Sequence, residues 1–197
     1  MNKIYVHPTA VVEKTANIGD GTKIWHFAHI REDAEIGKEC VLGHSVYVGK
    51  GVKIGNRVKL ENRATIYQGV KIEDNVFVGP HATFTNDPYP RSFNTDWKIV
   101  PTVVKKGASI GAGTVVVCGV TIGEYAMIGA GSVVTKDIPP HALTYGNPAK
   151  IRGFVCRCGG RLTKEEARQK HVLMVCPICD EKYEIPREDY AKLHDER

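Results

Sequence analysis

The sequence lacks the features that mark membrane-spanning, secreted and nucleic-acid-binding proteins. No apolar run approaches the roughly 20 residues that a helix needs to cross a bilayer. The opening residues, MNKIYVHPTAVVE, lack the apolar core and the small-residue cleavage site of a secretion signal. The net charge is +5, yet Lys and Arg form no dense stripe, and residues 154–197 carry nine basic and nine acidic side chains. We therefore expect a cytoplasmic protein without a membrane span, which binds small anionic ligands rather than nucleic acid.

The periodicities of an α-helix and of an amphipathic strand are also missing, and a period of six replaces both. Thirteen large apolar residues follow at this spacing from Val12 to Phe84, and the pattern resumes in a new phase from Val104 to Val134. A small or β-branched residue stands four places after each of the first twelve, and glycine often follows the apolar position, where we expect it to ease a turn. Such units bury their apolar residues only by stacking. The sequence predicts an all-β solenoid of about six coils, with Cys40 in its core.

In this repeat the chain resembles the hexapeptide-repeat acyltransferases. The resemblance implies a left-handed parallel β-helix over residues 1–153, in which three hexads make one triangular coil. The left-handed winding comes from the resemblance, because spacing does not reveal handedness and parallel crossovers are usually right-handed. A β-solenoid without catalytic activity is the alternative that the repeat alone leaves open.

The repeat breaks at residues 85–103, TNDPYPRSFNTDWKIVPTV, and a long insertion in a compact domain is more often functional than structural. In related sugar O-acetyltransferases a loop at this place carries a catalytic His-Pro, whereas this chain has Asn86-Asp87-Pro88. A hydroxyl acceptor needs a base such as histidine. A sugar amine with a pKa of roughly 7.7–8.0 is already partly neutral at pH 7. Asn86 therefore favours N-acetylation over O-acetylation.

Four stretches narrow the resemblance to the nucleotide-linked 3-amino-sugar N-acetyltransferases. They are YVHPTAVVE, GTKIWHFAHI, VGPHATFTNDPYPRS and CGVTIGEYAMIGAGSVVTKDIP. The resemblance implies a homotrimer with active sites between subunits, acting in bacterial surface-polysaccharide or O-antigen synthesis. It implies UDP-2-acetamido-3-amino-2,3-dideoxy-glucuronate as the acceptor, and a dTDP-3-amino-3,6-dideoxyhexose is the alternative.

The resemblance also suggests roles for individual residues. Acetyl-CoA is the implied co-substrate. Backbone groups of small residues in the later coils would form hydrogen bonds with its pantetheine amides. Basic side chains would bind its phosphates, although each of them could equally be a solvated surface residue. The cofactor candidates are Gly111, Gly129, Ala130, Lys136, Lys150 and Arg152.

For the acceptor, we expect Asn86 to hold the sugar amine and Arg91 to face a carboxylate or phosphate. Asn62 and Tyr67 are candidates for nucleotide contacts, although Tyr67 could equally lie in a trimer interface. His81 is a candidate general base, whereas His26 and His29 fit polar packing between subunits.

After Gly153 the hexad ends, and residues 154–197 hold four of the six cysteines: Cys156, Cys158, Cys176 and Cys179. In a chain without a secretion signal such a cluster indicates a metal site before a disulfide framework. Four thiolates suit structural Zn²⁺ in a ribbon-like tail, and so short a segment rarely sustains a core without metal. A redox dithiol pair or bound iron are the alternatives. The last residues predict a short surface helix.

Two other functions compete with acetyl transfer. A γ-type carbonic anhydrase shares the β-helix, but the middle coils lack that family's H-x-x-x-x-H spacing. A binding scaffold on an inactive β-helix, with the tail as a partner surface, is the second alternative.

Overall fold

The computed structural model describes residues 3–194. Met1, Asn2 and the last three residues of the predicted tail lie outside the described residues. From residue 5 to residue 134 the chain forms twenty short parallel strands, and every third strand joins the same sheet. The predicted all-β parallel solenoid is confirmed.

The strands are numbered in chain order. The first seven are β1 (Tyr5–Val6), β2 (Val11–Val12), β3 (Asn17–Ile18), β4 (Lys23–Ile24), β5 (His29–Ile30), β6 (Glu35–Ile36) and β7 (Val41–Leu42). The next seven are β8 (Tyr47–Val48), β9 (Lys53–Ile54), β10 (Lys59–Leu60), β11 (Thr65–Ile66), β12 (Val70–Ile72), β13 (Phe77–Val78) and β14 (Thr83–Phe84). The last six are β15 (Thr102–Val104), β16 (Ser109–Ile110), β17 (Val115–Val116), β18 (Thr121–Ile122), β19 (Met127–Ile128) and β20 (Val133–Val134).

These strands form the three faces of a triangular prism. Sheet A runs β1-β4-β7-β10-β13-β16-β19, sheet B runs β2-β5-β8-β11-β14-β17-β20, and sheet C runs β3-β6-β9-β12-β15-β18. The prism therefore has six complete coils and two strands of a seventh. Its first strand ends at Val6, one hexad before the repeat that the sequence predicts.

The hexad places one large side chain of each strand inside the prism. Ile66 and Phe84 are completely buried in the middle coils, and the small residues between strands, such as Ala64 and Ala82, are equally buried. Cys40 also has no exposed surface, and burial raises the pKa of its thiol, so it is a neutral core residue as predicted. Burying one Ile side chain stabilises the fold by about 1.5–3 kcal/mol.

The glycines that follow the apolar positions do not serve as turn residues, contrary to the prediction. The left-handed turn conformation falls two residues later, where Gly51 has φ +63° and Arg63 has φ +60°. At Gly37, by contrast, an added Cβ would lie 2.5 Å from the backbone of the next coil. Glycine is needed there because successive coils stack too closely for any side chain.

This difference predicts opposite outcomes for two glycine substitutions. Gly37→Ala is expected to destabilise the protein by about 1–3 kcal/mol, since the added methyl group overpacks the contact between coils. Gly51→Asn is the matched control: nothing lies within 4 Å of its added Cβ, and asparagine tolerates a positive φ. Urea denaturation of both variants measures the difference. An equal loss in both would contradict the stacking explanation.

The predicted loop leaves the prism at the corner between sheets B and C. Elsewhere in the prism, residues that pair between neighbouring coils are eighteen positions apart in the sequence. Phe77 instead pairs with Ser109, because the loop lies between them in the sequence. The loop follows Phe84 and ends where β15 begins at Thr102, so its end lies two residues before the predicted limit.

The remaining elements close one end of the prism and form the tail. β21 (Ala142–Tyr145) joins sheet A, and β22 (Lys150–Phe154) pairs antiparallel with it and runs through the predicted boundary at residue 153. The elements of the tail are β23 (Thr163–Ala167), β24 (His171–Val175), β25 (Lys182–Pro186), α1 (Arg187–Ala191) and the 3-10 turn η1 (Lys192–His194). β23, β24 and β25 form an antiparallel sheet, here called the tail sheet, and α1 agrees with the predicted short helix. Among residues 3–194, no helix has the length and apolar character that a bilayer crossing requires.

Candidate functional site

The loop and the corner from which it leaves enclose an open cleft, here called the acceptor cleft. It has a volume of about 520 Å³, and Tyr67, Asn86 and Arg91 line it together with Trp97. The structure thus brings together three of the four residues predicted for the acceptor. Trp97 belongs to the predicted loop, but it was not among the residues predicted for the acceptor.

The base of the loop is fixed by contacts with two corner glycines. Val100 donates its N–H to the carbonyl of Asn86 at 3.0 Å, which closes the loop. A Cβ on Gly69 would lie 2.3 Å from the side chain of Ile99, and one on Gly119 would lie 3.0 Å from Val100. The returning strand of the loop therefore packs against backbone that carries no side chain, and Asn86 is held at a defined place.

The polar groups of the cleft are open to a ligand. Asn86 is half-buried, and among residues 3–194 no group is hydrogen-bonded to its side-chain amide. The Arg91 guanidinium is exposed and donates one hydrogen bond, from Nη1 to the carbonyl of Pro90 at 2.7 Å. Two aromatic side chains of the loop, Tyr89 and Phe93, are about 80% exposed. These exposed rings are available for contact with a ligand or with a partner subunit.

Five other predicted site residues lie along a different corner, between sheets A and B. They are Asn62, His81, Gly111, Gly129 and Ala130. Residues five positions apart in a hexad repeat reach neighbouring corners, so Asn62 is separated from Tyr67, and His81 from Asn86. The Asn62 side chain also has a structural role, because its Oδ1 accepts the N–H of His44 at 2.9 Å. His81 is exposed at a backbone position with φ +60°.

The predicted amide donors of the cofactor site are partly occupied within the prism. Gly111 donates its N–H to the carbonyl of Ile128 at 2.8 Å, and Gly129 donates to Thr144 at 2.7 Å. The Gly129 carbonyl accepts the Ser132 hydroxyl at 2.6 Å. The N–H groups of these two glycines are therefore not available to a cofactor, although the lack of a side chain still lets a cofactor approach their backbone closely. Ala130 is exposed beside them.

Two of the three predicted phosphate ligands share a second, smaller cavity at the end of the prism, here called the lysine cavity. Lys136 and Lys150 line it, and it has a volume of about 140 Å³. Lys192, from η1, lines it as well, which the sequence analysis did not anticipate. Arg152 does not line this cavity: its guanidinium lies over the ring of Tyr145, 5.8 Å from the centroid.

The four cysteines of the tail converge on one point, as predicted. Their sulfur atoms all lie within 4.8 Å of one another, with Cys156–Cys179 at 3.4 Å and Cys158–Cys176 at 3.5 Å. A tetrahedral Zn²⁺ with Zn–S bonds of about 2.3 Å sets its sulfurs about 3.8 Å apart, so the residues present fit this ion.

The surroundings of the cluster also suit a metal-bound thiolate. Burial raises the pKa of the Cys176 thiol, but hydrogen bonds from the backbone of Ile178 and Cys179 outweigh it and lower the pKa to about 7. The hydroxyl of Tyr183 lies 3.2 Å from the sulfur of Cys156. Polar contacts of this kind orient metal ligands.

Comparison with known proteins identifies the repeat. The model of the family described as bacterial transferase hexapeptide (six repeats) matches residues 15–50, 51–86 and 101–136. Among curated proteins, dTDP-3-amino-3,6-dideoxy-alpha-D-galactopyranose 3-N-acetyltransferase from Aneurinibacillus thermoaerophilus is 53% identical over 158 residues. That match covers 80% of this chain and 82% of the relative. Galactoside O-acetyltransferase from Escherichia coli is 37% identical over a shorter stretch, 42% of each chain.

Solved structures agree with the fold. WeeI from Acinetobacter baumannii AYE is 25% identical with a TM-score of 0.51, over 74% of this chain and 56% of that chain. The acetyltransferase domain of PglB from Neisseria gonorrhoeae FA1090, solved with acetyl coenzyme A, is 24% identical with a TM-score of 0.53, over 75% and 57% of the two chains. This chain thus spans little more than half the length of those two structures. The expected repeat family and enzyme class are confirmed: the chain belongs to the bacterial transferase hexapeptide family and is an acetyltransferase.

Proposed function

We propose that this acetyltransferase moves an acetyl group from acetyl-CoA to the 3-amino group of a nucleotide-linked amino sugar. The observation that carries the proposal is the acceptor cleft, where Asn86 stands at the loop position that holds a catalytic histidine in the O-acetyltransferases the chain resembles. An uncharged amide can orient an amine but cannot deprotonate a hydroxyl group. The 53% identical relative, whose name specifies 3-N-acetylation, supports this assignment.

The reaction needs no strong base from the protein. The neutral amine attacks the thioester carbon, a C–N bond forms, the C–S bond breaks, and the departing CoA thiolate takes the proton that the nitrogen loses. Asn86 orients the nitrogen, and binding of both substrates in one cleft supplies proximity.

The sugar is proposed to be a dTDP-linked 3-amino-3,6-dideoxyhexose. The same relative supports this alternative over the UDP-linked uronate that the sequence favours. Arg91 suits either acceptor, since its exposed guanidinium can pair with a phosphate as well as with a carboxylate.

A mass-spectrometric assay of acetyl transfer over a panel of acceptors tests both statements. The panel holds dTDP-3-amino-3,6-dideoxygalactose, UDP-2-acetamido-3-amino-2,3-dideoxy-glucuronate, a 4-amino nucleotide sugar and the 3-hydroxy analogue of the first. We expect the first to be the best substrate by kcat/KM and the last to be inert. Preference for the uronate would overturn the sugar assignment alone. Modification of the hydroxyl analogue alone, or no transfer at all, would overturn the proposed reaction.

The active enzyme is proposed to be a homotrimer that packs on sheet B. The outward residues of sheet B from β5 onward are uncharged or weakly basic, whereas sheet C presents Glu35, Lys53 and Lys71. The acceptor cleft and the corner of His81 and Ala130 lie at opposite edges of sheet B. Around a threefold axis the two kinds of edge from adjacent copies meet, which would join them in one site.

Matched substitutions test the packing face. Val115→Glu places a carboxylate on sheet B, where association would have to desolvate it, and is expected to give a monomer. Val103→Glu makes the same change on sheet C and is expected to leave the trimer intact. Light scattering coupled to size exclusion measures both masses. A monomeric parent protein, or dissociation by Val103→Glu alone, would contradict this arrangement.

The tail is proposed to be a structural zinc unit, beginning near residue 154, that takes no part in bond making. Cys156, Cys158, Cys176 and Cys179 would hold the ion, which would stabilise a sheet whose own core is small. The buried apolar residues of this sheet are Val172, Leu173, Met174 and Ile185, and three of them, Val172, Met174 and Ile185, belong to the same apolar cluster as the prism residues.

A further inference from the structure

Trp97 is the largest side chain that lines the acceptor cleft, and its ring is open to a ligand. It is 45% exposed. The other aromatic residue of the lining, Tyr67, packs edge-on against Tyr47 with ring centroids 5.7 Å apart. Within residues 3–194, Trp97 has no such ring contact. Its indole therefore offers an apolar face inside an otherwise polar cleft.

The place of Trp97 is fixed by contacts on both sides of it along the chain. Two residues later, Ile99 packs on the prism at Gly69, where an added Cβ would lie 2.3 Å from the Ile99 side chain. Before it, the Asn94 side chain accepts a backbone N–H two residues further on at 3.0 Å. Asn94 also donates its own N–H to the carbonyl of Arg91 at 3.0 Å. Two consecutive turns thus connect Trp97 to Arg91, which restricts how far one can move from the other.

The charges of the cleft suit one anionic group and not two. Of the described residues that line it, two are charged, Arg91 and Asp87. The Asp87 carboxylate accepts the N–H of Tyr89 at 2.8 Å, and the Arg91 guanidinium is free to pair with the diphosphate of a nucleotide-linked sugar. A carboxylate at carbon 6 of the same sugar would then meet Asp87 as the remaining charge, and like charges repel. The cleft therefore disfavours a uronic acid.

The pyranose ring of the proposed acceptor directs its substituents to three sides. Carbons 1, 3 and 5 alternate around the ring, and they carry the diphosphate, the amine and carbon 6. With the amine at Asn86 and the diphosphate at Arg91, carbon 6 is left to face the rest of the lining, in which Trp97 is the largest side chain. Burial of a methyl group against an aromatic ring is favourable, whereas burial of a hydroxyl or a carboxylate without a partner costs free energy.

We infer that Trp97 selects the acceptor by its carbon 6, because the indole ring packs against the methyl group of a 6-deoxy sugar. The inference rests on the proposed function, which places the sugar amine at Asn86, and it assigns the sugar specificity to a residue of the loop. In this arrangement Trp97 does not touch the reacting nitrogen. It is therefore a specificity-determining residue, and its loss should change the choice between sugars more than the chemistry.

Two acceptors that differ only at carbon 6 test this inference on the full chain. They are dTDP-3-amino-3,6-dideoxygalactose and dTDP-3-amino-3-deoxygalactose, which has a hydroxyl group on carbon 6, and the readout is the ratio of their kcat/KM values. Trp97→Ala is expected to lower this ratio about tenfold, the size of discrimination that one group has in an apolar pocket. Trp97→Phe is expected to keep most of the preference, since an aromatic face remains.

Phe93→Ala is the matched control, because Phe93 is an 81% exposed aromatic residue of the same loop that lies outside the lining of the cleft. Its ratio is expected to stay within about twofold of that of the parent protein. Each ratio comes from one preparation, so a lower fraction of folded enzyme does not alter it. An unchanged ratio in Trp97→Ala, including an equal loss with both acceptors, would overturn the inference and leave the proposed reaction standing. Failure of the parent protein to acetylate either acceptor would overturn both.

Discussion

Replacing Cys176 with serine is expected to abolish stoichiometric zinc binding and to unfold the tail sheet. Cys176 is completely buried beside the other three cysteines, so its loss removes one of four ligands and leaves three thiolates without their charge balance. Structural zinc sites of this kind have apparent binding free energies of about 10–16 kcal/mol, far more than the small core of the tail can replace. Elemental mass spectrometry of the purified protein measures the metal. Hydrogen exchange of β24 and β25 measures the folding.

The control for this variant is Cys118→Ser, which changes a nearly buried cysteine outside the cluster. It is expected to keep one zinc ion per chain and full protection of the tail sheet. A parent protein that contains iron instead of zinc would correct the identity of the ion. A parent protein without metal, whose cysteines form disulfides, would favour the redox alternative and contradict the structural role.

The fold could be predicted from the sequence because the hexad is a local signal. Each apolar residue of the repeat, such as Ile66, is buried in the core because of its position within its own hexad. That position can be recognised without knowing the rest of the sequence. The role of the glycines could not be predicted in the same way. The contact that requires Gly37 is made with Gly55 of the next coil, and its distance depends on how the coils stack.

The candidate site was predictable in part. Asn86 and Arg91 are close in sequence and belong to one loop, so they lie in one cleft. Asn62 and Tyr67 are equally close, yet they lie at different corners because five residues span one face of the prism. Lys192 lines the same cavity as Lys136 only because the tail docks on β22, which no local pattern encodes.

Replacing Asn86 with alanine is expected to lower kcat about a hundredfold and to leave CoA affinity unchanged. Alanine removes the amide that orients the sugar nitrogen, and loss of orientation at the reacting atoms has effects of this size. The backbone of residue 86 accepts the Val100 N–H in either case, so the base of the loop should stay closed. Steady-state kinetics with the best acceptor of the panel, combined with calorimetry for CoA, separates kcat from binding.

His81→Asn is the decisive comparison, because adjacent copies of a trimer would bring the corner of His81 toward the acceptor cleft of the neighbour. Asparagine tolerates the backbone conformation at residue 81, so a structural penalty should be small. If the amine needs no protein base, His81→Asn should lower kcat less than about threefold. In both proteins kcat/KM should rise with pH through the pKa of the sugar amine, roughly 7.7–8.0, because only the neutral amine attacks the thioester. If kcat instead falls severely in His81→Asn and only mildly in Asn86→Ala, the histidine is the general base. The site would then use the mechanism that hydroxyl acceptors require.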